Sequence, residues 1–428
     1  MWMSVALGAS QVEISPFLPV HLAGFAHRVG PAVKQHSPLY VKTFYFQQED
    51  QVILLLIGDV IWWDGKMVRQ WKERIRKDHG ISCESICFHS THTHSGPQTS
   101  EEFTHLLGLV DDRYIVSLEE KVLLSVREAI GNKEIVTGRK VRSVCELNVN
   151  RRKKVGNRVL MKPNRDDFAD SELTTVVFEN SKQDVKAMFV HYACHPTATD
   201  ANVVSSEFPG QCCTVLSEHY KGAVIGFLQG CCGDLRPAFI MDDEFYRGSL
   251  QDMEKMGTEL AGHVRKAVES GGKTLSLEGN FHAEVRMIPL LFRQDDEMEQ
   301  VIKMSKDVLE TWKAHKENVW RDIEFTELEM QVLHIGSDLH FIAFNGEMVQ
   351  EYGLEAKRND PDALPIGYSN GMVGYVPTSE QLNDGGYESE EFIYYFGLPA
   401  PFQQTIEKTI KNEMKKIQRV NNIGTANT

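Results

Sequence analysis

Phe88-His89-Ser90-Thr91-His92-Thr93-His94-Ser95-Gly96-Pro97 sets three histidines directly behind a short apolar run. The residues on either side give it a place in a fold. Val52-Ile53-Leu54-Leu55-Leu56-Ile57 reads as a fully buried strand within Gln51 to Trp63, halting at Gly58-Asp59, and Lys66 to Asp78 carries helical periodicity up to Gly80. Ser85 to His89 is the next strand. Strand, helix and strand at this spacing make a βαβ unit with parallel strands and a right-handed crossover. The histidines therefore leave the C-terminal end of a parallel strand, where α/β folds build their sites. Side chains two apart share a face, so His92 and His94 can enter one pocket.

Three further apolar strands end in polar groups. Val185 to Ala193 runs into Cys194-His195-Pro196-Thr197, where the proline stops it. Ala223 to Leu228 runs into Gln229-Gly230-Cys231-Cys232-Gly233-Asp234, and Leu339 to Phe344 into Asn345-Gly346-Glu347, with a helix over Met348 to Lys357. Helices are also expected at Arg113 to Ile130, Met253 to Ser270 and Asp295 to Val319, and one long strand at Thr137 to Asn150. Tyr368 to Tyr387, rich in Gly, Asn, Pro and Tyr, reads as an irregular loop of the functional kind. No repeat or flexible linker divides the chain, which points to a single domain over 1–428 with a frayed tail at 417–428.

Composition removes several functions. At 428 residues, 42% hydrophobic and 25% charged, the chain can bury a large core. A net charge of −14 and a pI of 5.6 argue against nucleic acid as a partner, since the one basic cluster is Arg151 to Lys154. No apolar stretch reaches transmembrane length and no leader is seen at Met1 to Ser10, so the expectation is a cytoplasmic protein. Eight cysteines in a chain of this size read as free buried thiols.

A catalytic zinc site takes a few neutral imidazoles and a carboxylate and keeps one position open. His92, His195 and Glu347, each at a strand end, can supply that set. Each also has a plainer reading: His195 as a core histidine before a proline, and Glu347 as a carboxylate favoured in the first turn of a helix. No local spacing ties them together, so the residues alone leave the choice open.

Taken as an ordered set, the motifs resemble a known family. They are Thr91 to Pro97, His195-Pro196-Thr197, the turn Gln229 to Asp234, Gly346-Glu347, and Gly374-Tyr375-Val376-Pro377-Thr378 followed by Gly385-Gly386-Tyr387-Glu388. Together they look like the N-terminal catalytic domain of the neutral/alkaline (non-lysosomal) ceramidases, zinc amidases that cut the N-acyl bond of ceramide. The opening Gly8 to Pro16 and Leu22-Ala23-Gly24-Phe25 are similar to that family's start, so the resemblance covers essentially the whole chain. It implies an α/β fold, mixed α+β, with mixed β-sheets layered with helices. It also implies one catalytic Zn2+ held by His92, His195, Glu347 and Tyr375.

The same resemblance makes His94 the proton shuttle or oxyanion donor. Arg151, after Asn148-Val149-Asn150, would orient the acyl carbonyl, with a solvated basic loop as its plainer reading. Tyr387 would donate to the tetrahedral intermediate, or serve only in packing. Asp234 is assigned to its turn and His89 to the strand. Gly230 and Arg236 stand where the family tends to carry serines. The expected activity is zinc-dependent hydrolysis of the N-acyl amide of ceramide or a related small-molecule or lipid N-acyl amine. The secreted members' signal peptide and C-terminal immunoglobulin-like domain are not expected here, which puts ceramide itself in question. Alternatives are a zinc hydrolase of a small non-lipid amide or ester, a non-catalytic acyl-ligand-binding protein, and an enzyme using Cys231 or Cys232. Oligomeric state is not legible.

Overall fold

The continuous apolar run Val52 to Ile57 needs cover on both faces, and the computed structural model, which describes residues 4–294, 304–321 and 323–424, provides it. Ile53, Leu55 and Ile57 pack into a core between two sheets, while Leu54 and Leu56 pack under helices on the other side. Full burial of each such side chain is worth about 1.5–3 kcal/mol.

The strands of the large sheet come mostly from the first half of the chain. They are β1 (Ala6–Glu13), β2 (Tyr40–Gln48), β3 (Gln51–Gly58), β4 (Ile86–Ser90) and β5 (Glu134–Val144). After β6 (Asn148–Val155) and β7 (Arg158–Asn164) come β8 (Glu172–Asn180), β9 (Val185–Tyr192) and β10 (Val224–Gln229). The large sheet runs β10-β9-β8-β5-β1-β2-β3-β4. Short pieces follow: β11 (Leu235–Pro237), β12 (Ile240–Met241), β13 (Glu244–Phe245) and β14 (Lys273–Leu275), which joins the large sheet beside β5. A second, four-stranded sheet is ordered β15 (Phe281–Leu291), β16 (Phe325–Ile335), β17 (Leu339–Phe344), β19 (Ala363–Ile366), and β18 (Glu347–Met348) pairs with β20 (Tyr375–Val376).

The two sheets pack face to face through Phe44, Phe46, Phe189 and Phe341, with the Phe189 and Phe341 rings edge to face at 5.9 Å. Helices Gly65–His79 and Asp112–Gly131, and Glu207–His219 with Leu250–Glu269, cover the outer face of the large sheet. The second sheet's outer face is covered by the aromatic cluster around Tyr352, Phe396 and Trp312. This is the layered mixed α/β architecture expected. The βαβ unit is present as read: β3 and β4 are parallel, with Gly58 opposite Ser90. Asp64 caps the helix between them by accepting from the backbone N–H groups of Lys66 and Met67, and Gly80 ends it at φ 72°.

Although β4 and β10 lie at opposite ends of the strand order, curling of the sheet brings them together. The Gln229 N–H donates to His89 Nε2 at 2.9 Å, which confirms His89 as a structural residue. Gly226 on β10 leaves room for the β3 side chain Ile57, since a Cβ there would stand 2.7 Å from Ile57 Cδ1. The segment after β19 stitches β4 from its other side, Asn370 N–H donating to the Phe88 carbonyl at 2.7 Å. The strand ends that carry the motifs thus open onto one region.

Several elements differ from the sequence reading. The long strand expected over Thr137 to Asn150 breaks at Cys145 to Leu147, and its halves join different sheets. Tertiary hydrogen bonds take the backbone out of line: Cys145 N–H donates to Ser171 O at 2.8 Å, and the Tyr192 hydroxyl donates to Cys145 O and accepts from Leu147 N–H. This break aims β6, and with it Arg151, toward the open region. The helix expected from Asp295 starts at Lys306, where Ser305 accepts from Val308 N–H; residues 295–303 lie outside those described. The presumed loop Tyr368 to Tyr387 contains β20 and the helix Ser379–Asp384 with a capping box. The closing helix runs from Thr405 to Gly424 and so reaches into the segment read as a frayed tail, of which residues 425–428 lie outside those described. Among the described residues no helix is long and apolar enough to cross a membrane.

Helix Glu207–His219 begins on a buried carboxylate. Glu207, at φ 57°, accepts from Thr199 N–H at 3.0 Å and Phe208 N–H at 2.8 Å, yet burial outweighs these bonds and pushes its acid up to about 7. A raised carboxyl binds its proton more tightly in the folded state. That contribution is complete below the ordinary value of 4.5 and is lost as pH rises through 7. Urea unfolding should therefore show Glu207→Gln to be free of about 3 kcal/mol of the parent's stability loss between those pH values. Parallel pH profiles for the two proteins would contradict this.

Candidate metal centre

His92 follows β4 in the left-handed backbone region, at φ 63°, a strained setting for a non-glycine residue that points to a functional constraint. Its Nδ1 donates to the Ile61 carbonyl at 2.7 Å, and the Tyr368 ring stacks on it at 4.0 Å. His195, just past β9, is held the same way, with Nδ1 donating to the Cys232 carbonyl at 3.2 Å. Each ring thereby spends its proton on a backbone carbonyl and turns a bare Nε2 inward.

Those two Nε2 atoms are 3.1 Å apart, and His94 Nε2 is 3.2 Å from that of His92. Glu347 Oε2, buried and without a hydrogen-bond partner, lies 3.4 Å from both His92 Nε2 and His195 Nε2. Lone pairs facing one another at that distance repel unless a cation lies among them. Protonating a ring is the costly answer, because burial, reinforced by neighbouring cationic groups, holds His94 and His195 well below their ordinary value. A tetrahedral ion with ligand bonds of about 2.0–2.1 Å sets its donors about 3.3–3.4 Å apart, so the cluster fits a zinc-sized ion.

The remaining site residues gather on the same space. Parallel pairing of β18 with β20 sets Tyr375 opposite Glu347, and the Tyr375 ring lies parallel to His195 at 6.3 Å. Burial, then Glu347, pushes the Tyr375 phenol well above its ordinary value, so it keeps its proton unless a cation draws it off. Arg151 stands 5.4 Å from the Tyr375 ring and 5.7 Å from that of Tyr387, and the two tyrosines meet edge to face at 5.4 Å. His94, Arg151, His195, Tyr375 and Tyr387 all line one cleft of about 440 Å³, a volume usual for a small-molecule site. Gly24 leaves room for His94, since a Cβ there would stand 2.3 Å from Nδ1. The expectation kept His94 beside the ion, and its Nε2 is as near to His92 as that of His195.

Sequence reasoning missed the supports of this site. Glu388 bridges two buried arginines, accepting from Arg151 Nε at 2.7 Å and Arg152 Nη1 at 2.6 Å. It stood in a quoted motif without a role. Tyr368 was hidden in the presumed loop. Asp234 is structural as read, accepting from Gln350 N–H at 2.9 Å and from the Gln381 amide at 3.0 Å. Cys231 and Cys232 are buried, and burial pushes both thiols far up, which makes them poor nucleophiles. A second group, His334, His340 and Asp360, holds its two imidazoles stacked at 4.0 Å, so their in-plane lone pairs do not converge.

Two sheets face to face between helices, with three imidazoles and a carboxylate gathered beside a cleft, define a layered α/β protein with a candidate metal centre. The fold is that of neutral ceramidase. The crystal structure of neutral ceramidase from Pseudomonas aeruginosa is similar to this chain with a TM-score of 0.77 at 12% identity, over 97% of this chain and 74% of that one. A ceramidase complexed with C2 is similar to the same degree, with a TM-score of 0.77 at 12% identity over 97% of this chain and 75% of that one. No protein-family model and no curated protein sequence matches the chain.

Proposed function

We propose that the protein is a zinc-dependent amidohydrolase that cleaves the N-acyl amide bond of ceramide or a related N-acyl amine with water. The observation that carries this reading is the convergence of His92 Nε2, His195 Nε2 and the unpartnered Glu347 Oε2 beside a cleft. His92, His195, Glu347 and Tyr375 hold the ion. When bound, zinc polarises the amide carbonyl and lowers the pKa of water toward neutrality. Arg151 and the Tyr387 hydroxyl donate to the carbonyl oxygen as charge develops on it. His94, at the cleft wall, carries a proton to the leaving amine. Phe25, Leu107 and Tyr395 give the cleft apolar surface for an acyl chain.

Metal content, thermal unfolding and turnover of a panel of N-acyl amides, measured on metal-replete and chelator-treated protein, test the reading. Chelation should remove about one zinc per chain, lower the unfolding temperature and abolish turnover, while thiol alkylation spares it. Full activity after zinc removal, or loss on alkylation alone, would sink the proposal.

A further inference from the structure

The cleft holds more cationic surface than its acids neutralise. Arg236, on β11, lines the cleft with its guanidinium 4.3 Å from the Phe245 ring. Its Nε is buried without a hydrogen-bond partner, and among the described residues no carboxylate lies within ion-pair distance of it; the buried Glu207, committed to the backbone N–H groups of Thr199 and Phe208, acts on it only through its longer-range field. Arg151 Nη2 is also buried and unpartnered. Behind His94, Arg28 donates to the His94 carbonyl at 2.9 Å and leaves its own Nε and Nη2 unpartnered. The two acids on the cleft wall are committed elsewhere. Asp200 accepts from Arg247 at 2.7 Å and pairs with His27 at 3.1 Å, and Glu244 pairs with Lys162.

A guanidinium withdrawn from water without a carboxylate in direct contact is costly, and the cost is recovered when an anion binds it. Burial lowers Arg236 to about 10, which still leaves it charged at neutral pH. Its planar fork matches a carboxylate in two parallel hydrogen bonds, a geometry that a neutral diol cannot reproduce. We propose that the substrate of this site carries a carboxylate close to the scissile amide and that Arg236 binds that carboxylate. The inference rests on the amidohydrolase reading and narrows it to amides of the N-acyl amino acid kind or to monoamides of dicarboxylic acids. In either case one water adds across the C–N bond, and the products are a carboxylic acid and an amine.

The test compares metal-replete parent protein with Arg236→Gln and Arg236→Lys on three amides of similar length. N-lauroylglycine has its acid on the amine side, N-dodecylsuccinamic acid has it on the acyl side, and N-lauroylethanolamine is neutral. The better acid should exceed the neutral amide in kcat/KM by about 10- to 100-fold in the parent. Arg236→Gln should collapse that ratio, chiefly through KM, and Arg236→Lys should restore part of it. Which acid is preferred tells the side on which the carboxylate sits. A neutral amide preferred by the parent, or a ratio unmoved by Arg236→Gln, overturns the inference and leaves the hydrolase reading standing. If no amide turns over, the hydrolase reading fails, and calorimetric binding of N-lauroylglycine decides: affinity no greater than for the neutral amide, or unchanged in Arg236→Gln, overturns the carboxylate site as well.

Discussion

His92→Ala protein should purify without its metal and hydrolyse N-acyl amides at least about a thousandfold more slowly than the parent. His92 is the centre of the donor cluster: its Nε2 lies 3.1 Å from His195, 3.2 Å from His94 and 3.4 Å from Glu347. Alanine removes that donor, and it also inherits a backbone at φ 63° with no Nδ1 to hold the turn against Ile61. His94→Ala provides the contrast, with bound metal retained and turnover reduced about a hundredfold. Metal analysis beside turnover on the best substrate separates the two roles. Metal retained in His92→Ala at the parent's level would refute the assignment, and metal lost in His94→Ala would place that imidazole on the ion.

Glu388→Gln should lower folding stability by about 3–5 kcal/mol and reduce kcat more than it raises KM. Glu388 is 2% exposed, and the arginines it joins, Arg151 and Arg152, are 4% and 7% exposed. Removing the shared carboxylate leaves two cations without their common partner in a poorly solvated place. Burial pushes the Glu388 acid up, but Arg151 and Arg152 outweigh it and hold the carboxyl below its ordinary value. A depressed carboxyl contributes stability above the unfolded value of about 4.5, and that contribution is lost as pH falls through the folded one. Denaturant unfolding at neutral and acid pH reads both effects. A loss under about 1 kcal/mol at neutral pH, or a parent no more acid-sensitive than the variant, would contradict this account.

The elements legible from sequence are those in which local pattern and tertiary demand agree. Val52 to Ile57 had to be buried on both faces, and Gly80 had to end the helix before β4. The strand over Thr137 to Asn150 misled because Cys145-Glu146-Leu147 contains no glycine, proline or other turn residue to mark a break. The break there is imposed by Tyr192 and Ser171, the former 47 residues from Cys145. In the presumed loop after Tyr368, glycines and prolines suggested irregularity. Short-range composition carried no sign that Tyr375 would pair with Glu347.

By itself the sequence determined the βαβ unit, the strand ends that carry polar groups and, through an ordered set of motifs, the residues to watch, because periodicity and turn chemistry are local properties of the chain. Tertiary structure alone decided that those strand ends meet. Curling of the large sheet brings β10 against β4, the break after β5 aims Arg151 into the cleft, and Glu388 and Arg236 acquire their meaning from charges distant in sequence. Contact between such residues depends on how the sheets twist and close, and on which buried charges find partners, and neither is written in the spacing of side chains along a strand.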